Sequence, residues 1–509
     1  MHNAPEASFF CDIVSLSHDG RGVARPQGAG GPVVFVAGAL PGQRVRARAV
    51  CRKARHVDAV CVEVTRPAPG EEHSLCPHDG ECGGCPLQRM PYAAQLEAKG
   101  ELLRQALRRI GGLEGARVAM PLASPLTRAF RNKMAFAFGT GDGGRLLLGQ
   151  RHRGGHGVVR VPGCALMPPF ALRLAERLEA LAAASGLPAY SPPGRTGRTA
   201  GFWRSAAIRL HWVAPGVPRA DDAAAWSDAN RWRAALLLLT SPGDAGQRRA
   251  VCRVAENLLR DVPGLTGVVH EERASLDGLV LGERRIVALS ALPAGEDSAA
   301  RLRLPLLGSC LELDITSFFQ VNTAAAQLLA ALAVHAVRGA LPDTAAGALA
   351  EPATPPPASL LDLYCGVGAP GLLCVEAASR LDGVEYDGRA TRLAARNARA
   401  LSRPGARYHA GDAARVIRRL REDHEVVLTD PPRAGMDPAL IAALDRRNAA
   451  RLVYISCNPA TLARDAALLE PRWEPEAFQP VDLFPHTPHL ECVSLWRRRP
   501  AGPRHDVRR

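Results

Sequence analysis

Lysine is scarce in this sequence of 509 residues. Of 64 Lys and Arg residues only three are lysines, at positions 53, 99 and 133. Against 50 Asp and Glu the formal net charge is +14, which favours a polyanionic partner, most often nucleic acid. Because nearly all the positive charge is arginine and Ala, Gly and Pro are abundant, codon bias accounts for part of this pattern. Charge alone therefore does not establish the partner.

Long apolar runs and a targeting segment are also lacking. The longest candidate, Ala324–Val337, is interrupted by Gln327 and His335, so no membrane partner is expected. The start "MHNAPEASFF" has no basic region followed by an apolar stretch, which argues against a secretory signal and predicts a cytoplasmic protein. In that compartment 13 cysteines do not indicate a disulfide framework, so clustered cysteines are expected to bind metal or to be catalytic.

One cysteine cluster lies in the Gly-rich segment "CPHDGECGGCPLQ". Cys76, Cys82 and Cys85 are spaced C-x5-C-x2-C, and Cys164 in "VVRVPGCAL" is the best candidate for a fourth ligand. Four protein ligands suit either zinc or an iron–sulfur cluster, and the spacing does not separate the two. The alternative, free thiols exposed in a cytoplasmic loop, is chemically awkward.

Composition and turn signals predict a multidomain protein. Residues 1–66 contain short β-like runs, including "PVVFVAG" and "AVCVEV", which predict a small OB-like β-barrel. From residue 1 to 70, nine Lys and Arg against five Asp and Glu make this part basic by +4, although a plain structural barrel is the alternative.

We expect an α+β central domain over 67–310, which carries the cysteine cluster, and an α/β Rossmann-like domain over 311–498. A basic tail follows at 499–509, and "PDTAAGALAEPATPPPAS" (342–359) is expected to be a flexible insertion.

A second candidate site lies in "VYISCNPATLARD". The apolar run that ends at Ile455 predicts a buried strand, and Asn458 with Pro459 predicts a helix N-cap and first turn. Cys457 then lies at the carboxyl end of a strand, where open α/β sheets hold their ligands. A helix N-terminus favours the thiolate, by less than about one pKa unit. A buried structural cysteine is the alternative interpretation.

The ends of four successive strands carry glycines or acids. "SLLDLYCGVGAPGL" is a strand with Asp362, a glycine loop and a helix, and its glycines also spell the G-x-G-x-x-G of dinucleotide enzymes. Glu385 ends the next predicted strand, Asp412 follows the third, and Asp430 begins "DPPRAG" after the fourth. An acid inside the first strand together with D-P-P after the fourth favours a methyltransferase over a nicotinamide oxidoreductase.

Six segments in order resemble the RNA uracil-5-methyltransferases: "SFFQVN", "LDLYCGVG", "VEYD", "DPPRAG", "SCNPATLARD" and "FPHTPHLE". The N-terminal "GRGVAR" and "GALPGQRV" resemble the TRAM domain, an RNA-binding barrel. Barrel and cysteine loop together are similar to the branch that acts on 23S ribosomal RNA. The resemblance is loose over about 170–300, and Ala369 and Pro370 stand where the family often has a polar residue.

The resemblance implies a role for each matching residue. Cys457 is implied as the nucleophile that adds to uracil C6, and Glu491 as the base that removes the C5 proton. The implied contacts to S-adenosylmethionine and the target base are Gln320, Tyr364, Glu385, Asp412 and Asp430. Cys76, Cys82, Cys85 and Cys164 are implied as the ligands of a [4Fe–4S] cluster. Glu491 lies in a segment that we expect to form an edge strand.

Four other interpretations stay open at the level of sequence. They are a transfer RNA uracil-5-methyltransferase, a cytosine C5 methyltransferase, a nicotinamide oxidoreductase with a catalytic cysteine, and a non-catalytic RNA-binding protein with a redox-sensing cluster. The transfer RNA branch generally lacks the barrel and the cluster, so 23S ribosomal RNA is the favoured substrate, acted on by a monomer. Cytosine enzymes usually carry Pro-Cys or Thr-Cys, whereas Ser456 precedes Cys457 here.

Overall fold

The structure is a computed structural model that describes residues 8–25, 31–155, 157–191, 201–214, 216, 219, 222–275, 282–291 and 299–500. Within these ranges no helix combines the length and the apolar character that crossing a bilayer requires.

The first unit is a closed five-stranded barrel with strand order β1-β2-β3-β5-β4. Buried side chains alternate with partly exposed ones in strands such as "VVFVA", so one face of the strand fills the barrel. Val36, Val45 and Val57 are among the core residues. The strands are β1 (Ser8–Leu16), β2 (Gly22–Ala24), β3 (Val33–Ala37), β4 (Arg44–Arg52) and β5 (His56–Arg66).

Helix α1 (Tyr92–Arg109) joins the barrel to the C-terminal domain. It packs on β1 and, more extensively, on a C-terminal helix, α11 (Pro459–Leu469). The fully buried Lys99 donates from Nζ to Asp482 Oδ1 at 2.7 Å, and Gln95 Oε1 accepts from the His486 backbone N–H at 2.8 Å. These bonds fix the segment 482–489, which leads directly into Glu491.

The central unit is a seven-stranded sheet with strand order β12-β11-β10-β9-β6-β7-β8. Helices α2 and α4 pack on each other, and their buried leucines and valines share one core with this sheet. Its strands are β6 (Lys133–Thr140), β7 (Leu146–Arg151), β8 (Val158–Val159), β9 (Trp203–Trp212), β10 (Trp232–Thr240), β11 (Leu265–Glu272) and β12 (Arg284–Ser290). Its helices are α2 (Pro169–Ala184), α3 (Ala223–Ser227) and α4 (Ala245–Asp261).

A β-hairpin of β13 (Arg301–Leu306) and β14 (Ser309–Asp314) spans position 310, the expected end of the central domain. Its buried leucines pack with residues of both neighbouring units, including Leu237 of β10 and Leu393 farther along the chain. The hairpin therefore belongs to the contact between the two units.

The C-terminal unit is a second seven-stranded sheet, with strand order β17-β16-β15-β18-β19-β21-β20. The five strands from β15 to β19 run parallel, and β20 and β21 join them antiparallel. The strands are β15 (Ser359–Leu363), β16 (Arg380–Glu385), β17 (Ala406–Ala410), β18 (Val426–Thr429), β19 (Arg451–Ser456), β20 (Trp473–Val481) and β21 (Glu491–Arg498). The helices are α5 (Thr323–Val337), α6 (Ala345–Leu349), α7 (Ala369–Cys374), α8 (Gly388–Ala400), α9 (Ala413–Ile417), α10 (Pro438–Leu444) and α11.

Two expectations about this unit are wrong. Strand β21, which begins at Glu491, lies between β19 and β20 and is not an edge strand, because β20 returns to cover its outer side. The insertion at 342–359 is folded: it contains α6, and the buried Ala348 packs on α5. Most of the predicted basic tail lies outside the described residues.

Candidate active site

Cys457 lies where the sequence places it, between strand and helix. It follows β19 directly, and Asn458 caps α11 by accepting from the Ala460 backbone N–H at 3.1 Å, with Pro459 in the first turn. The Asn458 amide also donates to the Arg433 backbone oxygen at 3.1 Å. This bond ties the loop after β18 to the start of α11, so that Arg433 and Cys457 border the same groove.

Glu491 is the first residue of β21 and is only 2% exposed. Its Oε2 has no hydrogen-bond partner among the described residues. Ser456 pairs with Cys492 in the antiparallel register of β19 and β21, so Cys457 and Glu491 come next on the two strands. Residues opposite each other in such a ladder have Cα atoms about 4.5–5.5 Å apart. Residues separated by 34 positions in sequence are therefore brought together by the sheet.

The electrostatic environment of Cys457 contradicts the expectation of a thiol favoured as thiolate. Its pKa is raised to about 11, mainly by burial and then by the charges of Glu491 and Asp430, while Arg433 opposes the shift. A helix N-terminus contributes only about 0.3–1 kcal/mol, which two neighbouring carboxylates and desolvation outweigh.

Asp430 and Glu491 influence each other. Burial raises the pKa of Asp430 to about 7. Burial, and then the charge of Asp430, raises the pKa of Glu491 well above the usual range, while Arg433 opposes the shift. Two carboxyl groups in one dry site do not both ionise readily, so the pair retains a proton near neutral pH. Glu491 is consequently a stronger base than an ordinary carboxylate once it has lost that proton.

A pocket of about 80 Å³ lies beside this pair, and Asp430 lines it. Two of the residues predicted to bind cofactor, Gln320 and Tyr364, line it together with Asp430. Tyr364 has a left-handed φ of 61°, a strained conformation that is typical of functional sites. The pocket is also lined by side chains from α5 and by Leu306, Phe318, Phe319, Cys365, Gly366, Val367, Ala369, Pro370 and Ile455.

The glycine loop at this pocket is held by two carboxylates. Glu385 Oε2 accepts from the Gly366 backbone N–H at 3.1 Å, and Asp362 Oδ2 accepts from the Gly371 N–H at 3.0 Å. A Cβ at Gly371 would lie 2.5 Å from Asp362 Oδ2, so only glycine allows this contact. Asp362 is fully buried, its Oδ1 has no partner among the described residues, and burial raises its pKa to about 8.

Asp412 is the N-cap of α9, where its Oδ1 accepts from the Arg415 backbone N–H at 2.9 Å, and it is exposed. It follows β17, two strands away from β15 in the sheet, and does not line the pocket described above. Of the five predicted cofactor contacts, the pocket thus brings three together, with Glu385 beneath its glycine loop and Asp412 farther along the same sheet edge.

A groove of about 710 Å³ leads from Cys457 to the barrel. Its walls come from β1, β2 and β3, from the last turns of α1, and from the segments around Cys457 and His489. Polar and basic side chains that line it include His18, Arg25, Gln105, Arg109 and Arg433. A groove with basic side chains along its walls suits an extended anionic substrate.

Two residues that line this groove, Arg433 and His489, were not predicted from the sequence. His489 Nε2 lies 3.4 Å from Arg433 Nη2, and both residues line the groove beside Cys457. Burial lowers the pKa of His489 to about 4, so its imidazole is neutral. Their segments, "DPPRAG" and "HTPHLE", were recognised, but nothing in the spacing indicated that they meet.

The four predicted ligand cysteines line one small cavity of about 50 Å³. Cys82 and Cys85 come from the Gly-rich loop, and Cys164 follows β8. The pKa of Cys85 is raised to about 12, mainly by burial and then by the other three cysteines, while Arg131 opposes the shift. In the described ranges, no three His, Cys, Asp or Glu side chains stand at the close spacing of a metal-ion site.

Known proteins are similar to this chain in sequence and in fold. Residues 413–499 match the family described as tRNA (Uracil-5-)-methyltransferase. An uncharacterized RNA methyltransferase of Nitratidesulfovibrio vulgaris is 35% identical over 492 residues, which cover 95% of this chain and 94% of that protein. A second, from Thermosynechococcus vestitus, is 31% identical over 486 residues, covering 95% and 96%. The crystal structure of a Pyrococcus abyssi tRNA (uracil-54, C5)-methyltransferase with S-adenosyl-L-homocysteine is similar in fold, with a TM-score of 0.66 and 21% identity over 96% of this chain and all of that one.

Fold and comparisons together define the class: an RNA methyltransferase with a small N-terminal barrel and a C-terminal methyltransferase domain. More narrowly, the chain belongs to the RNA uracil-5-methyltransferase family. The nicotinamide interpretation of the glycine loop is therefore wrong. The motif G-x-G-x-x-G after a strand occurs in both kinds of enzyme and does not distinguish them.

Proposed function

We propose that this enzyme transfers a methyl group from S-adenosylmethionine to C5 of a uridine in RNA, with Cys457 as nucleophile and Glu491 as base. One observation carries the proposal. Asp430 lines the pocket beside the glycine loop and also acts electrostatically on both Cys457 and Glu491. The pocket proposed for the methyl donor and the groove that ends at Cys457 therefore both lie close to Asp430.

The residues of the pocket fit S-adenosylmethionine. Gly366 has no heavy atom within 4 Å of a Cβ built on it, so the backbone there is open to a ligand. Gln320 and Asp430 offer polar atoms, and the Asp362 oxygen without a partner lies below the loop. Glu385 and Asp412 are proposed to bind the ribose hydroxyls and the adenine amino group. When bound, the cofactor supplies an electrophilic methyl group.

The chemistry explains why a thiol and a carboxylate are both needed. Cys457 gives its proton to solvent in the groove, and its thiolate adds to C6 of the uracil, which places electron density on C5. After C5 has received the methyl group, it carries both that group and a proton. Glu491 takes the proton, the C6–S bond breaks, and the thiolate of Cys457 is regenerated. A raised pKa suits Glu491 for this role because it must hold a proton taken from carbon.

The groove is proposed to hold the RNA strand. A base that reacts in a pocket must leave its stack, at a cost of a few kcal/mol that is smallest in loops. Arg25 and Arg109 line the groove and are proposed to contact phosphates of the RNA strand. The barrel forms one wall of the groove, so it is proposed to position RNA in the way that the resemblance to TRAM domains implies.

We further propose that Cys76, Cys82, Cys85 and Cys164 bind a [4Fe–4S] cluster. All four line one cavity. A single zinc ion with Zn–S bonds of about 2.3 Å requires its four sulfur ligands close together. In a cluster each cysteine binds a different iron, so the sulfur atoms lie farther apart. The cluster rather than zinc is proposed because the cysteine loop resembles that of the branch that acts on 23S ribosomal RNA.

The cluster is tested by purification without air. We expect a brown protein whose iron and sulfide contents are equal, and whose broad visible absorbance fades on oxidation. The Cys82→Ser variant should lose the colour, whereas Cys310→Ser, which changes a cysteine outside the cavity, should keep it. Stoichiometric zinc without sulfide would contradict the proposal.

The substrate is proposed to be 23S ribosomal RNA rather than transfer RNA. The support is the resemblance of the barrel and the cysteine loop to the ribosomal branch. Mapping 5-methyluridine in ribosomal and transfer RNA, from cells with and without the gene, tests both parts of the proposal. Loss of a 23S modification is expected. Loss from transfer RNA alone would correct the substrate, and loss from neither RNA would contradict the activity.

A further inference from the structure

The positive charge of the chain is concentrated in one segment of the C-terminal domain. Residues 388–421 contain ten arginines and one acidic residue, Asp412, a net charge of +9 out of the +14 of the whole chain. Substitution of Arg for Lys by codon bias leaves net charge unchanged, so bias does not explain an excess confined to 34 residues.

The segment folds so that these arginines surround one edge of the sheet. It comprises α8, the edge strand β17 and α9. Helix α8 buries Leu393 and Ala398 on one face of the sheet, and α9 buries Ile417 on the other. The exposed arginines, here named the arginine rim, are Arg389, Arg392, Arg399, Arg407, Arg415, Arg418, Arg419 and Arg421.

Helix α8 presents its arginines as a stripe. Arg389, Arg392, Arg396 and Arg399 are spaced three, four and three residues apart, which places them on one side of the helix over about 15 Å. Arg396 is the one member with a carboxylate in range, Glu312 at 2.8 Å. For the eight rim arginines, no carboxylate of the described residues lies within ion-pair distance.

An unneutralised stripe of guanidinium groups suits the phosphates of RNA. Guanidinium binds phosphate through two parallel hydrogen bonds, and each contact releases counterions. A membrane surface would require several apolar side chains beside the charges, yet among the described residues Tyr386, just before α8, is the one large exposed hydrophobic residue that borders 388–421 in sequence. One exposed ring falls short of the cluster of aromatic or aliphatic anchors that a protein interface needs.

We infer that the arginine rim is a second RNA-binding surface, which holds phosphates of the substrate at a distance from the reacting base. The inference rests on the proposed function, because the ligand is the RNA that the enzyme methylates. Three strands, β16, β15 and β18, separate β17 from β19, the strand that carries Cys457. At about 4.8 Å per strand the rim is roughly 20 Å from the thiol, so a single short loop does not fill both sites.

The test compares two triple variants with equal loss of charge. Arg389→Gln, Arg392→Gln and Arg399→Gln remove the stripe on α8. Arg249→Gln, Arg253→Gln and Arg260→Gln remove three exposed arginines from α4, a helix of the central domain. Equilibrium binding to a fragment of ribosomal RNA is measured over a range of salt concentrations. Binding of S-adenosylmethionine and the melting temperature are recorded for each protein.

For the α8 triple variant we expect RNA affinity about tenfold lower at moderate salt, and a log–log salt slope shallower by about 2, at roughly 0.7–0.9 per lost phosphate contact. Cofactor affinity and melting temperature should match the wild type. The corresponding Arg→Lys triple should retain the wild-type slope, because it retains the charge. The α4 triple should bind RNA like the wild type.

Three outcomes would overturn the inference. The α8 triple variant could bind RNA with the affinity and salt slope of the wild type, or the α4 triple variant could lose as much RNA affinity as the α8 triple. The third such outcome is an Arg→Lys triple variant of α8 that binds RNA no better than the Arg→Gln triple. A wild-type enzyme that neither binds nor methylates any RNA would instead contradict the proposed function. The two failures are therefore distinguishable, since the rim is assessed only by differences between proteins that methylate.

Discussion

Cys457 and Glu491 are neighbours across the antiparallel pairing of β19 and β21, one residue beyond the Ser456–Cys492 pair. The relationship places a thiol and a buried carboxyl on the same end of the sheet, with Asp430 at the end of the adjacent strand β18. Strand β20 covers the outer side of β21, which keeps Glu491 away from solvent. The position of the base therefore depends on the final β-hairpin of the domain.

The pKa of Cys457 is predicted to respond to its charged neighbours with opposite signs. Its value of about 11 comes from burial, then from Glu491 and Asp430, against Arg433. Removing a negative neighbour lowers the pKa, so Glu491→Gln should increase the thiolate fraction at a given alkaline pH. Removing the positive neighbour raises it, so Arg433→Gln should decrease that fraction.

The measurement is the rate of iodoacetamide labelling at the Cys457 peptide, followed by mass spectrometry between pH 7 and pH 10.5. The labelling profile should move to lower pH in Glu491→Gln and to higher pH in Arg433→Gln. Cys51, exposed on the barrel, provides an internal control whose profile should not change. Shifts of the same sign in both variants would contradict this electrostatic account.

Glu491→Gln should stop the reaction after methyl transfer. The amide retains the shape of the side chain but does not accept the C5 proton, so C6 stays bonded to Cys457. Ordinary RNA substrate should then accumulate as a methylated, denaturation-resistant complex, which the wild type releases. Gel analysis with a radiolabelled methyl donor detects it, and normal turnover of the variant would show that another group takes the proton.

Gly368→Ala should weaken cofactor binding. Gly368 has a φ of +84°, which strains any other residue, and a Cβ there would lie 2.9 Å from the Tyr408 hydroxyl, so either the Tyr408 side chain or the loop must move. We expect affinity for S-adenosylmethionine to fall at least about tenfold, because about 1.4 kcal/mol of lost binding suffices for that factor. Gly112→Ala also has a positive φ, of +67°, but meets no atom within 4 Å, so calorimetry should show unchanged binding.

Lys99→Met should destabilise the protein. Lys99 and Asp482 are both fully buried, and removal of one partner of a buried ion pair costs about 3–5 kcal/mol. The melting temperature should fall by several degrees, with partial recovery in the double variant Lys99→Met, Asp482→Asn. Lys53→Met removes an exposed partner, 3.5 Å from Asp58, and should change the melting temperature little. Equal effects of the two single variants would contradict the importance of the α1 contact.

Local sequence signals predict the strand–helix junctions well. Asn458 and Pro459 start α11 as predicted. Glu385 ends β16, and Asp412 and Asp430 follow β17 and β18, so all three acids lie at the carboxyl edge of the sheet. Both features are predictable because caps and turns depend on neighbouring residues. The small barrel likewise follows from alternating residues between turns. These features require no knowledge of distant contacts.

Features that depend on distant contacts were not predictable in the same way. The placement of β21 inside the sheet depends on how β20 returns, and no local pattern in "PHTPHLECV" encodes it. The raised pKa of Cys457 arises from burial and then from Glu491 and Asp430, which are 34 and 27 positions away in sequence. The folded insertion is stabilised by burial of Ala348 against α5, whereas its Pro- and Ala-rich composition indicates flexibility.

The most direct test of the proposed mechanism is trapping with RNA that carries 5-fluorouridine at the mapped target position. Fluorine at C5 does not leave as a proton does, so the adduct should persist with the methyl group attached. Mass spectrometry of the digested complex should find the methylated nucleotide on the peptide that contains Cys457, and Cys457→Ala should give no adduct while still binding S-adenosylmethionine. A wild-type enzyme that methylates the unmodified RNA but forms no adduct with the fluorinated one would contradict covalent catalysis by Cys457.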